Sequence, residues 1–259
     1  ELSAGKLMFD SKGKSAPAVQ ESEKRLFIRF DNGQMIFDKN ICNFESYRIY
    51  NRELFNQLPD GDFKGFGLQF YRAPLDNDMY INKIWEKFRL DKTYVINSGC
   101  THNVQNDCLK ISFKSTVKTA VKAKVAAVQV TYSVYGDGTI KVDYTVVSGG
   151  RVVMIPRFGV QLELKKEFDR VKYIGLGPVV NLPDFREHAL TGIYENTVGS
   201  MYENYIMPQE NGIAILEKLR AKEETKDIPV IFLTGVTERK KIKEALCLKP
   251  QGYLLKPVD

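Results

Sequence analysis

The sequence predicts a mainly β fold, an antiparallel sandwich followed by a short C-terminal α/β segment, and three observations carry that reading. First, Val128, Val130, Tyr132 and Val134 alternate with Gln129, Thr131 and Ser133. After Gly136-Asp137-Gly138 the alternation resumes at Ile140, Val142, Tyr144 and Val146. Period 2 on both sides of a glycine-rich turn marks an antiparallel hairpin with one buried and one wet face. Second, long helical periodicity is nearly absent up to Gly212, with residues 82–90 the one short candidate. Many short strands without intervening helices build a sandwich rather than a βαβ fold. Third, from residue 213 the pattern becomes helix, strand, helix, strand.

Taken in order, residues 1–22 carry Ser, Gly, Lys and Pro with little periodicity and read as a linker. Leu26, Ile28 and Phe30 then alternate with Phe27 and Arg29, and Gln34 to Phe37 return after Asn32-Gly33. Asn-Gly supplies the positive φ values of a type I′ hairpin turn, so a tight turn is expected there. Lys110, Lys114, Lys118 and Lys122 recur every four residues, which would align them on a helix. Yet Ile111, Phe113, Thr116, Val117 and Val121 are β-rich, so the stretch reads as strand, loop, strand with its lysines toward solvent. A heparin-like or nucleic-acid patch is the sharper alternative. Further strands are expected over 152–155 and 158–164.

After residue 213, Ile213, Ile215, Leu216 and Leu219 take helical spacing among Glu217, Lys218, Arg220 and Lys222. Asp227 precedes Ile228-Pro229-Val230-Ile231-Phe232-Leu233, a run apolar at every position that suits a parallel strand covered on both faces. A charged helix over 237–246 and a short strand, Gly252-Tyr253-Leu254-Leu255, complete the segment.

The 259 residues are 43% hydrophobic and 27% charged, enough for a sizeable core in one large or two smaller domains. Lys and Arg number 38 against 32 Asp and Glu, with both signs interspersed. A net charge of +6 spread in this way is a solvated surface, which argues against nucleic acid as a partner. The four cysteines, Cys42, Cys100, Cys108 and Cys247, form no C-x-x-C pair and read as reduced structural thiols. Cys100, His102 and Cys108 lie close in sequence but lack a second cluster to complete a tetrahedral zinc site, so neither metal nor cofactor is expected. His188 is the other histidine, and no serine or cysteine nucleophile motif accompanies either one. No apolar run reaches the ~20 residues that span a bilayer, so no membrane partner is expected. The chain opens on Glu1 rather than Met, which fits a fragment or processed product, and the compartment expected is the cytoplasm.

Phe70-Tyr71-Arg72-Ala73-Pro74-Leu75-Asp76-Asn77-Asp78 contains the R-A-P-L-D-N-D word of the C-terminal domain of glycoside hydrolase family 2 β-galactosidases. Ile155-Pro156-Arg157-Phe158-Gly159 resembles that family's P-R-[IF]-G strand, and Gly175-Leu176-Gly177-Pro178 its G-L-G-P turn. Met201-Tyr202, Tyr205 and Pro208-Gln209-Glu210-Asn211-Gly212 resemble its M-Y-x-x-Y-x-x-P-x-E-N-G segment. The resemblance covers residues 23–212. It implies a large antiparallel β-supersandwich of the galactose-mutarotase-like kind. The family's polar residues after the G-L-G-P turn do not carry over: Val180 and Leu182 stand where Glu and Tyr are usual, and Phe185 separates Asp184 from Arg186.

Residues 213–259 resemble the second half of a response-regulator receiver domain, through Leu216-Glu217-Lys218-Leu219-Arg220, the strand ending at Thr234-Gly235, and Gly252 to Pro257. The resemblance gives Thr234 the place at the end of the fourth strand, Tyr253 the aromatic switch place and Lys256 that of the lysine before a proline. Aligning Met207-Pro208 and Asn211-Gly212 with the receiver's M-P-x-x-[DN]-G puts Asn204 at the phospho-acceptor position. An asparagine forms no acyl phosphate, and no acidic pair is in place to hold Mg²⁺. Pro208, Asn211 and Gly212 satisfy both families' patterns, which sets the junction within about residues 206–213.

Retaining glycosidases need two carboxylates ~5 Å apart. In the resembled family both come from a preceding TIM barrel, of which this chain has no repeat. The expectation is therefore a non-catalytic chain with no catalytic residue of its own. Its partners would be the catalytic barrel domain and, through the parent enzyme, a β-galactoside. Arg72, Asp76, Asn77 and Asp78 are either a turn and salt-bridge network or a loop at the edge of the barrel's sugar site. Trp85, with Tyr80 nearby, is either core or an aromatic sugar platform. The alternative for the whole chain is a signalling or interaction module whose receiver-like half docks a partner.

Overall fold

A computed structural model describes residues 12–56, 65–75, 78–149, 154–177, 189–201, 226–227, 246–247 and 249–250, and the backbone of 231–234 and 252–255. The chain divides into two compact units. One holds Met8–Ala73 and Tyr80–Phe168, the other Pro74–Met79 and Asp169–Asp259.

The first unit contains β1 (Ala18–Glu21), β2 (Arg25–Phe30), β3 (Gly33–Asp38), β4 (Asn43–Ile49), β5 (Arg52–Glu53) and β6 (Gly67–Gln69). The short helix α1 (Asn82–Lys87) follows, then β7 (Thr93–Val104), β8 (Leu109–Thr119), β9 (Lys124–Val134), β10 (Ile140–Ser148) and β11 (Gly159–Gln161). Strands β1 to β5 form one antiparallel sheet in chain order, β7 to β10 form a second, and β6 pairs with β11. The inward positions follow period 2. Leu26 and Ile28, Met35 and Phe37, and Phe44 come from the first sheet. Leu109, Ile111, Phe113 and Val117, and Val128, Val130, Tyr132 and Val134 come from the second. All belong to one core, and Tyr132 meets Phe37 and Phe44 edge-on at centroid distances of 6.2 and 5.2 Å. Two sheets sharing one hydrophobic layer make the expected antiparallel sandwich.

Two local expectations are corrected and a third is met. The linker carries β1 from Ala18, paired along its length with β2. The first hairpin turns at Asp31-Asn32, since Phe30 pairs with Gly33, and neither Asn32 nor Gly33 has a positive φ. Glycine is required at 33 for space: a Cβ there would lie 1.9 Å from the Arg48 carbonyl oxygen. The lysine stretch runs as strand, turn, strand as expected: β8 carries Lys110, Lys114 and Lys118, the turn carries Lys122, and β9 begins at Lys124. Leu109, Ile111, Phe113, Ser115, Val117 and Thr119 are buried, while Lys110 and Lys114 face solvent from the other side. A repeat of four is also twice the strand repeat of two, and Lys122 falls in the following turn with φ 61°.

The turn between β9 and β10 is held by several segments. Asp31 N donates to Gly136 O at 2.9 Å, Gly136 N to Ser15 O at 2.7 Å, and the Tyr47 hydroxyl to Gly138 O at 2.9 Å. Gly138 has φ +86°, a conformation that glycine adopts without strain. Lys14 pairs with Asp137, and that hydrogen bond first of all holds the carboxyl down to about 2. A depressed carboxyl contributes stability that is complete above its unfolded value near 3.8 and is lost as pH falls toward 2. Because the Asp137 side chain is half-exposed, Lys14→Ala is expected to cost only roughly 0.5 kcal/mol after solvent screening. The readout is Asp137 titration by NMR, whose midpoint should return toward the ordinary carboxylate value in the variant.

In the second unit, β12 (Arg170–Gly177) and β13 (Leu190–Thr197) form an antiparallel ribbon, followed by the single turn α2 (Val198–Met201). Strands β14 (Ile231–Thr234) and β15 (Gly252–Leu255) pair in parallel, Ile231 opposite Gly252 and Thr234 opposite Leu255. The apolar run has the parallel neighbour expected of it, while the helix expected over 237–246 lies, but for residue 246, outside the described residues. The helix expected over 213–222 lies outside the described residues. No helix among the described residues is long and apolar enough to cross a membrane.

Candidate functional site

The R-A-P-L-D-N-D loop follows β6. Arg72 donates from Nη1 to the Ala73 carbonyl at 3.2 Å, and its guanidinium lies 5.6 Å from the centroid of Trp85. Trp85 is the residue that α1 turns inward. It is 3% exposed, meets the Tyr71 ring edge-on and donates from Nε1 to the Met154 carbonyl at 3.1 Å. The indole is therefore core with its one polar atom satisfied, and Tyr80, 81% exposed, makes no shelf with it. Of the two readings of Trp85, the geometry supports core packing.

In the second unit Asp78 closes its own turn. Its Oδ2 accepts from Leu75 N at 2.7 Å, while its backbone N–H donates to Leu75 O at 3.0 Å. This carboxylate shapes the loop that carries Asp76 and Asn77, and those two lie outside the described residues. Thr234 ends β14 opposite Leu255, and Tyr253 lies in β15 opposite Phe232. Lys256 and Asn204 lie outside the described residues.

Cys100, His102 and Cys108 do not converge. Cys100 donates to Lys39 O at 3.8 Å, His102 Nε2 lies 3.5 Å from Glu21 Oε2, and Cys108 is buried at the start of β8. Burial is the main reason that all three described core thiols are pushed up, Cys42 to about 12. Thiols this reluctant to ionise are structural.

Two features escaped sequence reasoning. Glu53 is a buried carboxylate that accepts from the Ser46 hydroxyl, Tyr47 N, Phe55 N and Arg48, clasping β4 to β5. A cavity of about 450 Å³ also opens beneath residues 41–43 and 66–68, floored by the second sheet, with Asn97, Phe113, Ser115, Tyr132 and Tyr144 on its wall. The available signal was faint: Ser115 interrupts the apolar run of inward positions from Leu109 to Val117 on β8.

The fold and these contacts define an antiparallel β-sandwich module whose described loop polar groups, Arg72 and Asp78, are engaged in shaping their own surroundings. The profile of the β-galactosidase small chain matches residues 30–215, and that of the response regulator receiver domain matches residues 175–259. The two overlap over 175–215, which includes the shared Pro208, Asn211 and Gly212. The β-galactosidase of Actinobacillus pleuropneumoniae is 27% identical over 201 residues, covering 77% of this chain and 19% of that protein. That of Priestia megaterium is 28% identical over 200 residues (76% and 18%), and that of Lactobacillus delbrueckii subsp. bulgaricus 29% over 203 residues (78% and 19%). This chain belongs to the β-galactosidase small-chain family. It spans about a fifth of the length of the curated relatives it matches.

Proposed function

We propose that residues 23–212 serve as the non-catalytic sandwich of a β-galactosidase, supporting the hydrolysis of terminal β-galactosides by a separate TIM-barrel domain. The observation that carries the reading is the two-sheet antiparallel sandwich, most of which lies within the residues that the β-galactosidase small-chain profile matches. The chemistry belongs to two carboxylates ~5 Å apart, one protonating the leaving oxygen and one attacking the sugar, and the barrel supplies both. Within the sandwich, the loop bearing Arg72, Asp76, Asn77 and Asp78 borders the sugar site. Residues 213–259 are a receiver-like extension joined within about 206–213 and unable to take phosphate, because Asn204 stands at the acceptor place.

Incubated with a chromogenic β-galactoside, the purified chain is expected to give no turnover. Hydrolysis above a protein-free blank that survives repurification overturns the reading. Acetyl phosphate is likewise expected to leave the chain unmodified. A hydroxylamine-labile mass increase of one phosphate would place a working acceptor in it.

The parallel pairing of β14 with β15 favours a second reading, in which the receiver-like half keeps enough of its fold to dock a signalling partner. The upstream reading frame discriminates the two, since a barrel there supports the first.

A further inference from the structure

The cavity between the sheets has no part in the proposed function, and its wall has a definite chemistry. Among the described residues no charged side chain lines it. Rings of Phe66, Phe113 and Tyr132 gather on it, with Phe66 and Tyr132 tilted at 35° and 5.5 Å apart, and Phe113 5.7 Å from Tyr132. Register sets the rest: Asn97 lies opposite Ser115, and Tyr144 opposite Val130, so these positions share the inner surface of one sheet. Tyr94 and Val95 of the edge strand β7 also line it and are exposed, which gives an entry from that side.

Most of its polar capacity is already used. Asn97 donates from Nδ2 to Ile41 O at 2.7 Å and accepts at Oδ1 from Ser115 Oγ at 2.6 Å. Asn43 accepts at Oδ1 from Phe66 N and donates from Nδ2 to Phe66 O. The Tyr144 hydroxyl is different: it is buried, no described group makes a hydrogen bond of normal geometry with it, and it interacts at longer range with the Tyr132 hydroxyl. A buried polar group held so weakly carries a desolvation cost that a ligand atom would reduce. A free sugar would bring a ring of hydroxyls to a wall with few groups left to meet them, and most would be desolvated unpaired.

We propose that this cavity binds a small neutral aromatic molecule carrying a hydroxyl, a phenol or an aryl alcohol, with its ring among Phe66, Phe113 and Tyr132 and its oxygen on the Tyr144 hydroxyl. At about 450 Å³ the space is ample for such a ligand, several times the ~150 Å³ that encloses a benzene ring. Burial pushes the Tyr144 phenol up to about 12 and Tyr132 up as well, so both remain donors at neutral pH. The proposal does not rest on the β-galactosidase reading.

The test is titration of the full chain with p-cresol, toluene and galactose, followed by saturation-transfer NMR and calorimetry. Saturable binding of p-cresol and none of galactose is expected. Tyr144→Phe keeps the ring and weakens p-cresol by about tenfold while leaving toluene unchanged. If Tyr144→Phe does not fold by circular dichroism, Leu68→Trp at the partly exposed roof has to abolish p-cresol binding instead. Absence of saturable p-cresol binding, equal weakening of p-cresol and toluene by Tyr144→Phe, or displacement of p-cresol by galactose overturns the proposal.

Discussion

Tyr132→Ala is expected to lower the stability of the sandwich by about 4–5 kcal/mol, enough to unfold a marginal domain. Tyr132 is 2% exposed, and its ring meets those of Phe37, Phe44, Phe66 and Phe113 at 5.2 to 6.2 Å. Removing a large buried ring costs ~3–5 kcal/mol through lost transfer energy and the cavity left behind, and each aromatic pair adds up to ~1 kcal/mol. Four rings around one site leave little chance of collapse into the void. The melting temperature should fall by roughly 8–20 °C. Tyr132→Phe keeps the ring and should stay within about 1.5 kcal/mol of the parent. Chemical denaturation of both variants checks the pair, and similar losses in the two would refute a ring-packing role.

Gly33→Ala is expected to cost roughly 3 kcal/mol or more. The added Cβ would sit 1.9 Å from Arg48 O and 2.7 Å from Phe30 Cζ. A flexible ring could move aside, but Arg48 is fixed in β4, which pairs with β3 through Gly33–Ile49 and Gln34–Arg48. Relief therefore requires two strands of the first sheet to separate. Gly149→Ala is the control, since a Cβ there meets nothing within 4 Å and its effect should lie within about 0.5 kcal/mol. Comparable melting temperatures for the two alanine variants would remove the close-approach account of Gly33.

The central hairpin was legible because its signal is local: alternation on β9 and β10 with glycines between them fixes which side chains turn inward. The apolar run at residues 228–233 likewise announced a parallel neighbour, found in β15. At Gly33 the sequence suggested turn chemistry, whereas the requirement is steric and comes from Arg48, a residue with no sequence signal to offer. For Trp85 the sequence leaves core and platform both open, because its anchor, the Met154 carbonyl, is a backbone atom 69 positions away. The role of Asp78 in closing its turn needed coordinates for the same reason, since a carboxylate in R-A-P-L-D-N-D serves a backbone amide or a sugar with the same letters. The cavity draws on residues from 41 to 144 and has no contiguous pattern at all.

In both large sheets every hydrogen-bonded neighbour is also a neighbour along the chain. Ribbons of this kind zip by successive hairpin closures, each on a microsecond scale, without a long loop to close. The slow step is then the encounter of the two finished ribbons, which brings Phe37 and Phe44 to Tyr132 across some ninety residues. The ring cluster is therefore expected to act as the folding nucleus as well as the core: its substitutions should slow refolding, whereas changes at contacts made after docking, such as Lys14 with Asp137, should act mainly on the unfolding rate.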